Sequence, residues 1–320
     1  MTAYIIRRLL QGLLVLVLVT VFMFFIMRLL PGDPLLIYMA QQSQQLVDMP
    51  PERAQQLRHE FGLDRPLMVQ YVNWISGVVH GDFGTSVFYR EKVSSLMRQR
   101  FPVTAYLGVL ALAVAIIGGL ASGMLAAIRR GKWLDNIVTP LTYVGVTIPV
   151  FWLGILMIYV FGLKLNWLPI AGFTSPFENL GLSLKQIIMP VICEAIFGIA
   201  ANARQMRSSM LEVIRQDYIR TAWSKGLKER VVIFRHALKN SLIPVVTLLG
   251  MGISMIFGGS VLVETVFAIP GIGRMLVSSI FNHDYVVVQS ITLVIAIVVL
   301  LVNLLVDISY GWLDPRIHYG

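Results

Sequence analysis

A few places in this sequence carry residue types that could do chemistry. Glu194 is a carboxylate inside an apolar run, 187–203, which Asn202 also interrupts. A charge at the centre of a bilayer costs about 2.5–3.5 kcal/mol on insertion scales, so Glu194 must face a cavity, a partner or water. Two readings stand side by side. It is a polar contact in a translocation path, suited to an ammonium group, or a structural group that is protonated or bonded to a neighbouring helix. Gly258-Gly259-Ser260 with His283 invites a serine nucleophile. The glycine that a nucleophile elbow needs two places later is absent, and no Asp–His spacing completes a triad, so small residues for close helix packing are the better account. His59-Glu60 is not followed by the second histidine of a metalloprotease helix, and Gly131-Lys132 lacks both the upstream glycine and the following hydroxyl of a phosphate-binding loop. Cys193 is the single cysteine and lies in an apolar span, and the five histidines are scattered, so neither a disulfide framework nor a metal site is expected. The chain is expected to hydrolyse nothing itself.

The most distinctive stretch is a basic passage, 216–246, which reads as two short helices. Asp217 stands as N-cap of the first, Lys225 in its last turn and Gly226 just past its end. Tyr218 with Ala222, and Ile219 with Trp223, stand four apart and form an apolar face, with Arg220 and Ser224 on another. Two turns of helix do not persist alone in water, so this one must be held against something, and a partner pocket receiving Ala222 is the expectation. The second helix is expected to present Leu227, Val231, Phe234 and Leu238 as its apolar stripe, with Lys228, Arg235 and Lys239 off it.

Composition decides what surrounds these residues. Apolar residues make up 57% of the 320 and charged residues 13%, with a strongly positive mean hydropathy, which places the chain among polytopic all-α membrane proteins. A net charge of +9 would suggest nucleic acid in a soluble protein. Here the basic residues cluster between apolar spans, so membrane orientation accounts for them and no nucleic-acid partner is expected.

About six spans can be read. A first helix occupies 1–30, too long for a signal-peptide core, and Arg7-Arg8 place its start on the cytoplasmic side. Residues 31–101 are more polar and form an expected external domain that leans on the membrane helices. The core, 102–312, holds spans at 103–128, 136–161, 187–203, 242–263 and 286–308, with Pro140 and Pro149 kinking the second of these. Between them, 204–241 forms the cytoplasmic loop, and 313–320 is a cytoplasmic tail. Both termini are thus expected inside a multi-pass protein of the bacterial cytoplasmic membrane.

The basic passage resembles the "EAA" loop of binding-protein-dependent ABC importer permeases, where an Ala-containing helix is followed by Gly and later by an Ile/Leu-Pro pair. Here those places hold Thr221-Ala222, Gly226 and Ile243-Pro244, with Thr221 where many members have Ala or Glu. D-Y-I-R-T-A-x-x-K-G-L and R-H-A-L-K-N-S-L-I-P-V are similar to the dipeptide/oligopeptide/nickel branch, as are L-P-G-D-P, G-L-D-R-P-L and G-D-F-G-T-S. The resemblance implies a type I importer permease core, with Asp217, Tyr218, Arg220, Thr221, Ala222, Trp223, Lys225 and Gly226 as the element coupled to an ATPase. It implies as partners a second, homologous permease, two cytoplasmic ATP-binding subunits that use ATP and Mg, and an external solute-binding protein. No cofactor is implied in this chain. G-S-V-L-V-E-T-V-F-A-I-P-G-I-G (259–273) matches a recurring external-end motif of the branch, which implies Glu264 and Phe267 beside Glu194 and Asn202 along the path. A short peptide is the implied solute, with a nickel chelate, glutathione or an opine-like solute as the alternative within the branch. Outside it stand a membrane-embedded enzyme and a lone channel.

Basic residues concentrate in the segments read as cytoplasmic (Arg7, Arg8, Arg129, Arg130, Lys132 and the loop 204–241), leaving 31–101 and 164–185 outside, which makes a direct prediction. Cysteines at Gln55 and Ser175 should react with an impermeant thiol reagent added outside intact cells, and one at Ser224 should not. Labelling at Ser224 would reverse the orientation.

Overall fold

The structure is a computed structural model that describes residues 2–29, 55–56, 59, 64–245, 248 and 260–313, with side chains described from 6 and up to 305. Among these residues the regular structure is helical, apart from one isolated antiparallel bridge between Thr85 and Lys92. Four helices are long and apolar enough to cross a membrane: α1 (Thr2–Leu29), α3 (Val93–Ile128), α6 (Leu180–Val213) and α10 (Tyr285–Leu313). A fifth apolar stretch is broken into α4 (Trp133–Thr147) and α5 (Val150–Lys164), which meet at 107°. The kink expected at Pro149 is this break: Ile148 is extended (φ −68°, ψ 126°), and Pro149 has no N–H with which to continue the helical ladder. Pro140 sits inside α4. The span expected at 242–263 and the polar helix expected near 52–61 lie mostly outside the described residues.

The chain divides into two compact units. One comprises residues 1–103 and 271–300, with α1, α2 (Leu67–Val79), the first turns of α3, α9 (Ile272–Phe281) and most of α10. Here α3 begins ten residues before the apolar run expected at 103. Val93, Leu96 and Met97 recur at helical spacing and pack against Ile272, Met275, Val287 and Ile291. Phe24 of α1 is buried against Tyr71 and Trp74 of α2, while Arg28 donates to Gln70 Oε1 at 2.8 Å. The G-D-F-G-T-S loop is tied down by Asp284, whose carboxylate accepts Ser86 Oγ at 2.5 Å and Phe88 N at 3.1 Å. Gly84 (φ +82°) is needed at that turn both for its left-handed backbone and because a Cβ would lie 3.0 Å from Val286.

The second unit comprises 104–270 and 301–320 and is built around α6. Its neighbours approach through small residues. A Cβ on Gly119 would lie 2.6 Å from Asn202 Cβ, one on Gly123 2.3 Å from the Ala203 carbonyl, and one on Gly145 2.8 Å from Ala200 Cβ. Small-residue contact of this kind lets helix backbones come together where no hydrophobic driving force separates protein from lipid. Asn202 Nδ2 donates to the Ala115 carbonyl at 3.3 Å and joins α6 to α3 by a polar contact as well.

This packing discriminates between neighbouring glycines of α3. Gly123→Ala should destabilise the protein by roughly 1–3 kcal/mol through backbone overlap. Gly118→Ala meets Ile199 side-chain carbon at 3.5 Å, an ordinary contact, and should be neutral or slightly stabilising. Thermal unfolding of the two variants in the same detergent checks the difference.

Candidate functional site

The basic passage folds as a short helix clamped at one end of the second unit. α6 ends at Val213, a turn follows, and α7 spans Asp217–Ser224. The N-cap is Gln216, whose carbonyl accepts from Ile219 N at 3.1 Å and Arg220 N at 3.2 Å. Asp217 is therefore the first helical residue and not the cap expected from sequence. Its carboxylate still complements the helix dipole and lies 3.6 Å from Arg220. Lys225 is the C-cap, and Gly226 has φ +75°, the left-handed residue expected there.

Burial divides α7 differently from the expected face. Ile219 and Ala222 are buried, and they pack with Met206 and Met210 of α6 and with Val232, Ile233 and Ala237. Tyr218 and Trp223 are 44% and 41% exposed. Ala222 therefore enters this chain's own core, and a Trp there would disturb the permease itself before any partner. The physical reason is spacing: Ile219 and Ala222 are three apart on the side facing α6, while Tyr218 and Trp223 fall to its flanks. Asn240 Nδ2 donates to Tyr218 Oη at 2.7 Å and holds that flank.

The next helix, α8, is assembled from Glu229–Val231, the wide turns Val232–Ala237 and Leu238–Ser241. Its buried residues are Val232, Ile233, Ala237 and Ser241, with Val245 beyond. Of the expected stripe, Leu227, Val231 and Phe234 are exposed and Leu238 packs against the buried cluster. Val232, Ile233 and Ala237 pack there with Met206 and Met210 of α6, and Ser241 Oγ lies 3.3 Å from Met210 Sδ.

Close to α7, sequence reasoning missed an ion pair. Arg207 of α6 grips Asp135 of α4 with both arms of its guanidinium, Nε to Oδ1 at 2.6 Å and Nη2 to Oδ2 at 2.9 Å. The same carboxylate accepts Gly131 N at 2.9 Å and Thr139 Oγ1 at 3.0 Å. An Asp in a first helical turn reads as an ordinary end charge, and the partner lies 72 residues away, so no local signal pairs them.

The four residues expected along the path separate into two kinds. Glu264 is fully buried and accepts Thr104 Oγ1 at 2.5 Å and Ser260 Oγ at 2.7 Å. Phe267 is buried over Gly154, and its carbonyl accepts Gly172 N at 3.1 Å. Asn202 bonds α3, as above. Glu194 differs: both carboxylate oxygens are buried, and neither has a hydrogen-bond partner among the described residues. Glu264 is close enough to act on it electrostatically. Cys193 beside it is buried with Sγ 3.5 Å from Met157 Sδ.

Residues 119–319 match the family described as binding-protein-dependent transport system inner membrane component, and residues 1–108 match its N-terminal membrane component. A Sinorhizobium fredii protein named "Probable peptide ABC transporter permease protein" is 39% identical over 319 residues, covering all of both chains. The oligopeptide transport system permease protein AppB of Bacillus subtilis is 38% identical over 322 residues, again covering both chains fully. Among solved structures, an inward-facing methionine ABC transporter aligns at TM-score 0.55 and 16% identity, over 68% of this chain and 96% of the other. An amino acid ABC transporter aligns at TM-score 0.52 and 14% identity, over 68% and 94%. At such identities the likeness is one of fold.

The contrast between the two glutamates is testable. Glu264→Leu removes an acceptor from two hydroxyls and should cost about 1–3 kcal/mol of stability. Glu194→Leu removes a carboxyl with no bond to lose and should leave stability unchanged or raised. Transport lost by Glu194→Leu in a fully assembled complex assigns it to the path; loss of assembly assigns it to structure.

Proposed function

This chain belongs to the family of binding-protein-dependent transport system inner membrane components, and we propose that it carries short peptides, driven by ATP-binding partners coupled through α7. It is a polytopic membrane permease of the ABC importer class. The peptide solute rests on relatives named for peptide and oligopeptide transport that match along the entire chain. The proposed assembly has a second permease, two cytoplasmic ATP-binding subunits supplied with ATP and Mg, and an external solute-binding protein. The basic end, with α7, faces the cytoplasm of a bacterial cell, and both termini lie on that side.

One observation carries the coupling role. α7 is eight residues long and could not persist alone, yet Ile219 and Ala222 anchor it firmly in this chain's core. Tyr218, Arg220, Thr221 and Trp223 remain exposed beside Leu227, Val231 and Phe234. A helix held on one side and bare on the other is a preformed ridge for a groove in another protein. Glu194 is the proposed polar contact of the path, since its oxygens alone among the four candidates lack partners in the described chain. Asn202, Glu264 and Phe267 support the walls around it.

The test uses the transporter reconstituted with its ATPases and binding protein. Gly226→Val forces a branched residue into a left-handed conformation at a cost of about 1–2 kcal/mol. It should insert normally and abolish solute-stimulated ATP hydrolysis, whereas Gly226→Asn, which tolerates that conformation, should retain much of it. Normal stimulation by Gly226→Val removes the coupling role from α7. Stimulation by a nickel chelate, glutathione or an opine, but not by short peptides, replaces the solute.

A further inference from the structure

We propose that the Asp135–Arg207 pair is a transmission joint: it makes α7, the end of α6 and the whole of α4 move as one body, so that displacement at α7 reaches the break at Ile148–Pro149. This rests on α7 being the element that an ATPase displaces. The pair is a positioning device and touches neither solute nor nucleotide.

Its geometry is that of a pin. Four donors converge on one carboxylate: two from the Arg207 fork, Gly131 N and Thr139 Oγ1. The Asp135 side chain is only 7% exposed and that of Arg207 28%. A bidentate guanidinium fixes orientation as well as distance, so the two helices cannot rotate against each other while it holds. Gly131 (φ +71°) brings the turn between α3 and α4 onto the same carboxylate and holds the start of α4 from a third direction.

Its position gives the pin a mechanical meaning. Arg207 lies between Met206 and Met210 in sequence, and those two methionines are in the same buried cluster as Ile219 and Ala222 of α7. α7 therefore cannot shift relative to Arg207 without opening that cluster. Beyond Asp135, α4 runs on to Thr147, about 18 Å at 1.5 Å per residue, before the break where α5 leaves at 107°. Further along, α4 meets α6 through Gly145 against Ala200 and Ile196, a small-residue contact that holds the helices close. The ion pair adds an oriented polar bond to it. A buried pair of this kind is weak evidence for net stability, and fixing register is its best-attested use. Without the pair, a push on α7 would be dissipated as sliding of α4 along α6.

The experiment uses the complete transporter in nanodiscs, with spin labels on cysteines at the exposed positions Lys132 and Ser224. The native joint should give one narrow Lys132–Ser224 distance, the same in nucleotide-free and ATP-trapped states. Asp135→Asn should broaden that distance and make it differ between states. The same variant should lower solute imported per ATP hydrolysed at least tenfold while leaving assembly and unstimulated hydrolysis intact. Arg207→Lys keeps the charge without the fork and should fall between the two. A state-independent distance in Asp135→Asn with import per ATP within twofold of the native value overturns the proposal. Loss of assembly in both variants also overturns it, reducing the pair to a structural peg. Failure of the underlying reading shows separately, as a cysteine at Ser224 that cannot be cross-linked to any ATPase subunit of the otherwise native complex.

Discussion

The close approach of α6 to α3 and α4 is the constraint on which the second unit depends. In lipid, apolar side chains gain nothing by leaving one apolar neighbour for another, so helices associate through contact distance and polar bonds. Gly119, Gly123, Gly145 and Gly198 leave room that any Cβ would close, each with a neighbouring atom under 3.0 Å. Close backbones then bring otherwise distant polar groups together. Asn202 reaches the Ala115 carbonyl, and Arg207 reaches Asp135. The helix that carries Glu194 thereby also carries the anchor of α7.

Carboxylates show how the fold manages charge in apolar surroundings. Asp284, Asp135 and Glu264 each collect two or more donors from their own unit. Each solves a local problem: a loop tied to the start of α10, two helices pinned, the segment 260–264 joined to α3. Glu194 sits in the same unit as Glu264 and has the same chemistry, yet its oxygens are buried without a bond. A buried polar group left unsatisfied is costly, so its retention asks for a partner outside the described chain or for the neutral form. That difference could not be read from sequence, which offers both glutamates as candidates for the path.

Much of the architecture was legible because composition and periodicity act over long runs. The long spans, the break at Pro149 and the left-handed Gly226 all announce themselves through residue types with one dominant physical consequence. What escaped depends on geometry across elements. Asp217 looked like an N-cap because Asp is good at it, but an extended Gln216 takes the position through its backbone. Ala222 was expected to face a partner because apolar residues four apart make a stripe. In the fold, α6 claims only the half of that stripe nearest to it. In α8, α6 claims Val232, Ile233 and Ala237, and Leu238 is the member of the expected stripe that packs against that cluster. Asp135 was invisible for the opposite reason: its sequence position already had an ordinary explanation.

These observations meet in one argument about short helices. An eight-residue helix on a flexible loop would transmit nothing, because any partner could move it without moving the membrane spans. α7 escapes this because its inward residues are part of the same core as α6 and α8, while Asn240 holds its flank. Its outward residues are then held fixed relative to α6 and α8, which the proposed coupling to a partner requires. Rigidity near α7 and a break far from it are complementary. Force delivered to a stiff body is expressed where that body is weakest, and in this unit the helical ladder is interrupted at Ile148–Pro149.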